Sequence, residues 1–304
     1  MHTAPVEIVR APTEARNSCT KDIDLLPTAD ILRLINAEDA TVPRAVAEVL
    51  PELAKAVDLG VSVLRHGGRI HYFGAGTSGR LATMDAAELP PTFGIARDRV
   101  VAHHAGGPSA LIHACEGIED DFSSGRADAA TVTSADLAIG LTASGRTPYV
   151  AGALDRAREA GARTVLVTAD PHSALAADVD VHIGVATGAE VIAGSTRMKA
   201  GTAQKLILNA FSTAVMVRLG YTYSNLMVGV VATNAKLRGR MVTILTEATG
   251  LSEEDCAEAL HRADGDTRIA LVCLLTGVDV PTAAHALHAA HGSVRAALRE
   301  LART

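Results

Sequence analysis

The stretch 72-YFGAGTSGRLATMDAAELPP-91 joins the end of an apolar run to a cluster of Gly, Thr and Ser, and continues into a short helical pattern that carries Glu88 just before Pro90 and Pro91. A strand that breaks in a Gly-rich turn and resumes as a helix is the building unit of a parallel α/β sheet. In such a turn the glycines let backbone N–H groups converge on an oxyanion. Thr77 and Ser78 add hydroxyl donors, and the helix N-terminus adds partial positive charge. The loop has no Walker lysine, and its third glycine comes one residue too early for a dinucleotide fingerprint. Read alone, it is an anion loop or merely a tight strand-to-helix turn.

Working outward, the same alternation recurs. RIHYFG, RVVAHHAGG, DLAIGLTASG, RTVLVTAD and VDVHIGV read as five strands, and TPYVAGALDRAREAGA after the third reads as a helix. This pattern predicts a parallel sheet with helices on both faces, whose ligands bind at the carboxyl ends of the strands. Ser144, Gly145, Arg146 and Thr147 form a second hydroxyl-rich cluster after a strand, with Pro148 at a helix start. Two such loops on one sheet point to a small phosphorylated ligand in a shared crevice, held by N–H and O–H groups without a metal.

Flanking segments differ in kind. Residues 1–27 are polar, contain Pro5, Pro12 and Pro27, and read as an arm. Thr28 to His66 has helical spacing, with Pro43 placed for a helix start. A long helix is expected over about Thr202 to Leu219. Residues 234–304 read as a separate helical module, in which Ser252 and Asp255 resemble a capping box, leaving 28–233 as the domain that binds the phosphorylated ligand.

Composition narrows the function classes. The 304 residues carry a net charge of −6, only 3% aromatics and no Trp, so neither a basic surface for nucleic acid nor a stacking platform is expected. Cys19, Cys115, Cys256 and Cys273 form no CxxC pair, which argues against a disulfide framework or zinc site and for a reducing cytoplasm. No signal peptide and no membrane span are expected, since no apolar run approaches about 18 residues.

Several polar clusters remain as candidates. Glu116 and Glu119, in HACEGIEDDF, are three apart and would share a helix face; either is a solvated acid unless a substrate lies beside it. GAEVIAGSTRMKAGTAQK, residues 188–205, gathers Glu190, Ser195, Arg197 and Lys199 in a Gly-rich turn before the long helix. His103 and His104 could line the crevice, whereas His285, His288 and His291 read as a solvated helix face, and none completes a metal site.

Three of these segments, GAGTSGRLATMDAAELPPTFG, SGRTPYVAGAL and GAEVIAGSTRMKAGTAQK, together closely resemble the N-acetylmuramic acid 6-phosphate etherase family. EARN, DID, INAEDATVP and NLMVGVVATNAKL (residues 225–237) extend the likeness over almost the whole chain, and the last is also similar to a motif of glucokinase regulatory protein. The resemblance implies a sugar-isomerase (SIS) α-β-α sandwich with a five-stranded parallel sheet, a homodimer with active sites near its interface, and no cofactor. It implies conversion of MurNAc 6-phosphate and water to GlcNAc 6-phosphate and D-lactate in peptidoglycan recycling. The family's acid matches Glu88, and its second glutamate matches Glu119 rather than Glu116. Its phosphate loops match Thr77–Ser78, beside Gly76, and Ser144–Thr147. Glu190, Ser195 and Lys199 join these as expected substrate contacts, with Lys199 and Arg197 as partners for an enolate. The required protonated Glu88 would need an apolar setting, which Leu89, Pro90 and Pro91 are expected to supply. Leu89 stands where some members have Cys, and Ala82-Thr83 replaces a Gly-hydrophobic pair. An aldose–ketose isomerase and a non-catalytic sugar-phosphate sensor share the fold; the pair Glu88 and Glu119 separates the etherase from both.

Overall fold

The computed structural model describes residues 11–230 and 235–303, so residues 1–10 of the arm and the boundary expected at 233/234 lie outside the described residues. The described arm is not irregular but makes three 3-10 turns, at Pro12–Glu14, Ser18–Thr20 and Ile23–Leu25. Helices α1 (Thr28–Asp39), α2 (Val42–Ala47) and α3 (Leu50–Arg65) follow, with Pro43 in the first turn of α2.

Next come β1 (Ile70–Gly74), α4 (Gly76–Phe93), β2 (Val100–His104), α5 (Gly107–Ile112), α6 (Phe122–Asp128), β3 (Leu137–Thr142), α7 (Pro148–Glu159), β4 (Arg163–Thr168), β5 (Val181–Gly184) and α8 (Lys199–Leu219). All five strands pair in parallel in the order β2-β1-β3-β4-β5. Every residue of β1 and β3 is buried, as expected for strands covered on both faces. One face carries Phe73, Ala138 and Leu166 against Tyr149, Val150, Ala153 and Leu154 of α7. The opposite face meets α3, and also α8, where Phe211 sits edge-on to Tyr72 at 6.4 Å between ring centres. The strand order reverses between β1 and β3, which makes their carboxyl ends the topological switch point where open α/β sheets bind ligands.

By its contacts the chain divides into two compact units, one of residues up to Asp85 with Val100–Phe211, the other of Ala86–Arg99 with Ser212 onward. The second unit holds a two-stranded antiparallel hairpin absent from the sequence reading, β6 (Thr222–Tyr223) and β7 (Leu226–Met227), with Arg295 over the Tyr223 ring at 4.8 Å. Its remaining elements are α9 (Ala235–Thr249), α10 (Glu253–Arg262), α11 (Thr267–Thr276), α12 (Val280–Ala289) and α13 (Val294–Leu301).

These helices contain a repeat that motif reading missed. LTEATGLSEEDCAEALHRADGDTRIAL (residues 245–271) and VCLLTGVDVPTAAHALHAAHGSVRAAL (residues 272–298) align without a gap, matching Thr249 with Thr276, Leu260 with Leu287, His261 with His288 and Arg268 with Arg295. The backbone repeats as well. Gly250 and Gly277 both end a helix in the left-handed region, at φ 73° and 76°. Asp264 and His291, both at φ 51°, precede Gly265 and Gly292 at 79° and 82°. The N–H groups of those two glycines donate to Leu260 and Leu287 carbonyls at 2.9 and 2.8 Å. Ser252 and Asp279 cap α10 and α12, while Asp266 and Ser293 cap α11 and α13. In the first copy the expected capping box is modified: the Ser252 hydroxyl accepts from the Asp255 N–H at 3.1 Å and donates to the Asp255 carboxylate at 2.6 Å.

Among the described residues no single helix is long and apolar enough to cross a membrane.

Candidate active site

The Gly74–Gly79 loop is shaped by close backbone approach. A Cβ at Gly74 would lie 2.8 Å from the Gly79 nitrogen, and one at Gly79 would lie 2.5 Å from both the Gly74 oxygen and His104 Cδ2. Only glycine at both positions lets β1 turn this sharply into α4. The turn leaves Thr77 and Ser78 in the first turn of α4, where N–H groups lack intrahelical acceptors. Neither hydroxyl has a hydrogen-bond partner among the described residues, although Ser78 is 8% exposed. Arg80 turns away, donating to the carbonyls of Ala110 and Leu111 at 2.7 and 2.8 Å.

At the end of the neighbouring strand, Thr142 and Thr147 hydroxyls lie 2.8 Å apart, and the Arg146 N–H donates to Ser144 Oγ at 3.3 Å. Gly145 is at φ 69°, pressed against Ser173, whose hydroxyl donates to the Gly145 carbonyl at 2.7 Å. Both hydroxyl clusters thus sit on adjacent strands β1 and β3 at the same edge of the sheet.

The turn before α8 differs from its sequence reading. Glu190 is completely buried, and its two oxygens accept the N–H groups of Lys199 and Ala200, each at 2.9 Å. It therefore caps α8 from nine residues upstream and presents no free oxygen to a ligand. Burial is the leading cause that pushes its carboxyl above the usual range. Lys199 is 4% exposed and pairs at 2.7 Å with Glu38, a residue the sequence reading passed over. The arm helps fasten this corner: Asn17 Nδ2 donates to Glu38 at 2.9 Å, the Thr20 hydroxyl to the Val191 carbonyl at 2.8 Å, and the Gly194 N–H to the Thr13 carbonyl at 3.0 Å. Ser195 is half-buried and Arg197 exposed.

Other expectations need correction. Glu116 and Glu119 do not share a helix face: Gly117, at φ 77°, stands between them, and only Glu119 lies in a 3-10 turn, Ile118–Asp120. Both are exposed. The helix that carries Glu88 is not short: α4 runs through Pro90 and Pro91 to Phe93. Leu89 beside it is buried while Glu88 is exposed, so those neighbours do not enclose its carboxylate. Glu88 falls in the second compact unit and Glu119 in the first. His103 stacks on Phe73 at 4.5 Å and lies 3.0 Å from His71, while His104 lies beneath the loop, 3.2 Å from the Gly76 carbonyl. His285, His288 and His291 are exposed, and no group of potential metal ligands is found among the described residues.

Buried Asp85 links three elements: it accepts from Tyr72 of β1 at 3.1 Å and Asn209 of α8 at 3.0 Å while standing on α4. Its place inside the quoted stretch was visible, but its partners, 13 and 124 residues away, were not.

Comparison with known proteins agrees with this architecture. Residues 52–158 match the family described as the glucokinase regulatory protein N-terminal SIS domain, and residues 121–214 match the SIS domain. A Bacteroides fragilis structure assigned as a phosphosugar isomerase involved in capsule formation superposes with a TM-score of 0.50 at 23% identity, covering 64% of this chain and 93% of that one. The N-acetylmuramic acid 6-phosphate etherase of Pectobacterium atrosepticum is 50% identical over 265 residues, covering 86% of this chain and 88% of the relative. That of Yersinia pestis is 49% identical over 265 residues, covering 86% and 90%. At 50% identity over 86% of its length, the chain belongs to the N-acetylmuramic acid 6-phosphate etherase family.

Proposed function

We propose that this chain cleaves the D-lactyl ether of MurNAc 6-phosphate, yielding GlcNAc 6-phosphate and D-lactate. The observation that carries the reading is the 50% identity over 265 residues to a relative named for that activity. The two hydroxyl loops at the β1/β3 switch point support a monoester phosphate as the anchor, with Gly76, Thr77, Ser78 and Ser144–Thr147 around it.

Water cannot readily displace the lactyl group at carbon 3, because an alkoxide is a poor leaving group. Elimination is easier. In the open-chain sugar, the carbon 2 proton is acidified by the adjacent aldehyde. Glu119, exposed and without a partner among the described residues, takes that proton. Glu88 protonates the departing lactyl oxygen, and a carbon 2–carbon 3 double bond forms. Water then adds its oxygen at carbon 3 while carbon 2 regains a proton, with the two carboxyl groups exchanging roles. Negative charge grows on the carbonyl oxygen as carbon 2 loses its proton, and again as water adds at carbon 3; Lys199 is the candidate cation to meet it, and Arg197, exposed in the same turn, is the second. Ser195 and Glu190 act as parts of that turn. Bound substrate is assigned the apolar cover that Glu88 needs, and the family resemblance implies a homodimer as the active form, working in the cytoplasm.

The test is release of D-lactate from MurNAc 6-phosphate by the purified protein, with Glu88→Ala and Glu119→Ala alongside. Release by the wild type and by neither variant is expected. Folded wild type that binds the sugar phosphate and releases none would overturn the reading.

A further inference from the structure

Lys199 is fixed at both ends. Its backbone N–H is held by Glu190, and its ammonium, on a side chain 4% exposed, by Glu38 at 2.7 Å. The same Glu38 oxygen receives Asn17 Nδ2 at 2.9 Å, and Asn17 Oδ1 is tied to the Cys19 N–H at 2.9 Å. An ammonium has three N–H donors. Glu38 accepts one, and the other two have no acceptor among the described residues, which is costly for a buried cation unless a ligand supplies it. Two residues on, Gly201 borders the phosphate loop: a Cβ there would stand 3.4 Å from Thr77 Cγ2. The turn that carries Lys199 therefore abuts the turn that carries Thr77 and Ser78.

We propose that Glu38 is a positioning residue, which holds the Lys199 ammonium so that its two remaining donors meet the oxyanion formed on the sugar's carbonyl oxygen. This rests on the etherase reading above. Catalysis benefits from a donor already aimed at charge that appears only in the transition state, because no reorganisation is then needed. Glu38 supplies that aim and Asn17 aims Glu38, which gives the arm a part in the chemistry. The Lys199 hydrogen bond, outweighing the upward push of burial and helped by Asn17, holds the Glu38 carboxyl below its usual range, so the counter-charge is in place at neutral pH. The other acids facing this corner are Glu190, bound to backbone N–H groups, and Asp39, whose charge acts on Glu190.

The experiment is steady-state lactate release by Glu38→Gln, Glu38→Asp, Lys199→Met and the double variant Glu38→Gln/Lys199→Met, with pH profiles and Tm. Glu38→Gln is expected to lower kcat about 30-fold with KM within about threefold, as for a loss felt only in the transition state. Glu38→Asp should recover part of kcat, because it restores a carboxylate beside the ammonium. The double variant should be no slower than Lys199→Met alone, since the carboxylate acts only through the lysine. A lowered Tm with wild-type kcat would make the pair purely structural and overturn the proposal. A rise confined to KM would also overturn it, assigning Lys199 to the phosphate instead. If Glu38→Gln does not fold, Glu38→Asp decides: wild-type kcat in that variant refutes the aim. Absence of lactate release by folded wild type would instead remove the etherase reading, and this proposal with it.

Discussion

Glu190 stands in a glycine-rich turn among polar neighbours and reads, in one dimension, like a residue waiting for substrate. In three dimensions it closes the N-terminus of α8 with both oxygens. Glu190→Gln keeps one acceptor but turns an amide N–H₂ toward a backbone N–H, and should cost about 2 kcal/mol in denaturant unfolding. The two glutamates proposed for proton transfer call for a different measurement. Glu119→Gln and Glu88→Gln should each lower kcat at least about 100-fold, with KM moving far less, because a proton-transfer group is missed mainly in the transition state. The loops that carry Thr77, Ser78 and Thr147 were legible in sequence because a strand, a glycine and a helix start are local patterns. Glu38 was not, because the cation that gives it meaning lies 161 residues away. The expected apolar setting of Glu88 failed for a related reason: adjacent Leu89, Pro90 and Pro91 say nothing about where the Glu88 side chain ends up on a helix.

The five strands and the long helices were readable because their apolar runs are unambiguous. Elements set by a single backbone angle were not. Gly117 at φ 77° breaks what spacing alone presents as one helix, and the strands of the hairpin β6–β7, two residues each, are too short to show alternation. The loop between β1 and α4 is the opposite case, legible down to its glycines. Gly79→Ala would force a methyl to within 2.5 Å of the Gly74 oxygen. It should cost about 2–3 kcal/mol in stability as an overpacked site, and raise KM for the sugar phosphate by spreading the anion loop. The repeated turns of the helical segment allow a paired check. Gly265 and Gly292 occupy the same place in the two copies at nearly the same φ, so Gly265→Ala and Gly292→Ala should each cost about 1–2 kcal/mol. Gly292→Ala carries a small extra penalty, because the Arg268 guanidinium lies 3.2 Å from its new methyl.

At the scale of the whole molecule, buried histidines set the response to acid. His71 is 2% exposed on β1, stacked near His103, and burial pushes its pKa down to about 4. Burial lowers His103 as well. Above pH 6.5 the His71 ring is neutral whether the chain is folded or not. Below that, the unfolded chain takes up a proton that the folded chain refuses until about pH 4, so stability drains away across this window, by up to about 3 kcal/mol for His71. A plot of denaturant midpoint against pH should fall between 6.5 and 4, and His71→Gln should flatten it; an unchanged slope would sink the assignment.

The two 27-residue copies in the helical segment, residues 245–271 and 272–298, have a consequence for how the chain reaches its native state. The two copies share the leucines at 260/287 and 271/298, the left-handed turns and the cap positions, so during refolding α13 can compete with α11 for the surface of α10. Such a swap keeps the shared turns and cap positions and is betrayed by what the copies do not share, such as Cys256 against Ala283. Neighbouring repeats of like structure are a recognised source of misassembly. The few mismatched core positions therefore act as the address labels of this segment, and making the copies more alike should slow refolding even where it leaves the folded state as stable as before.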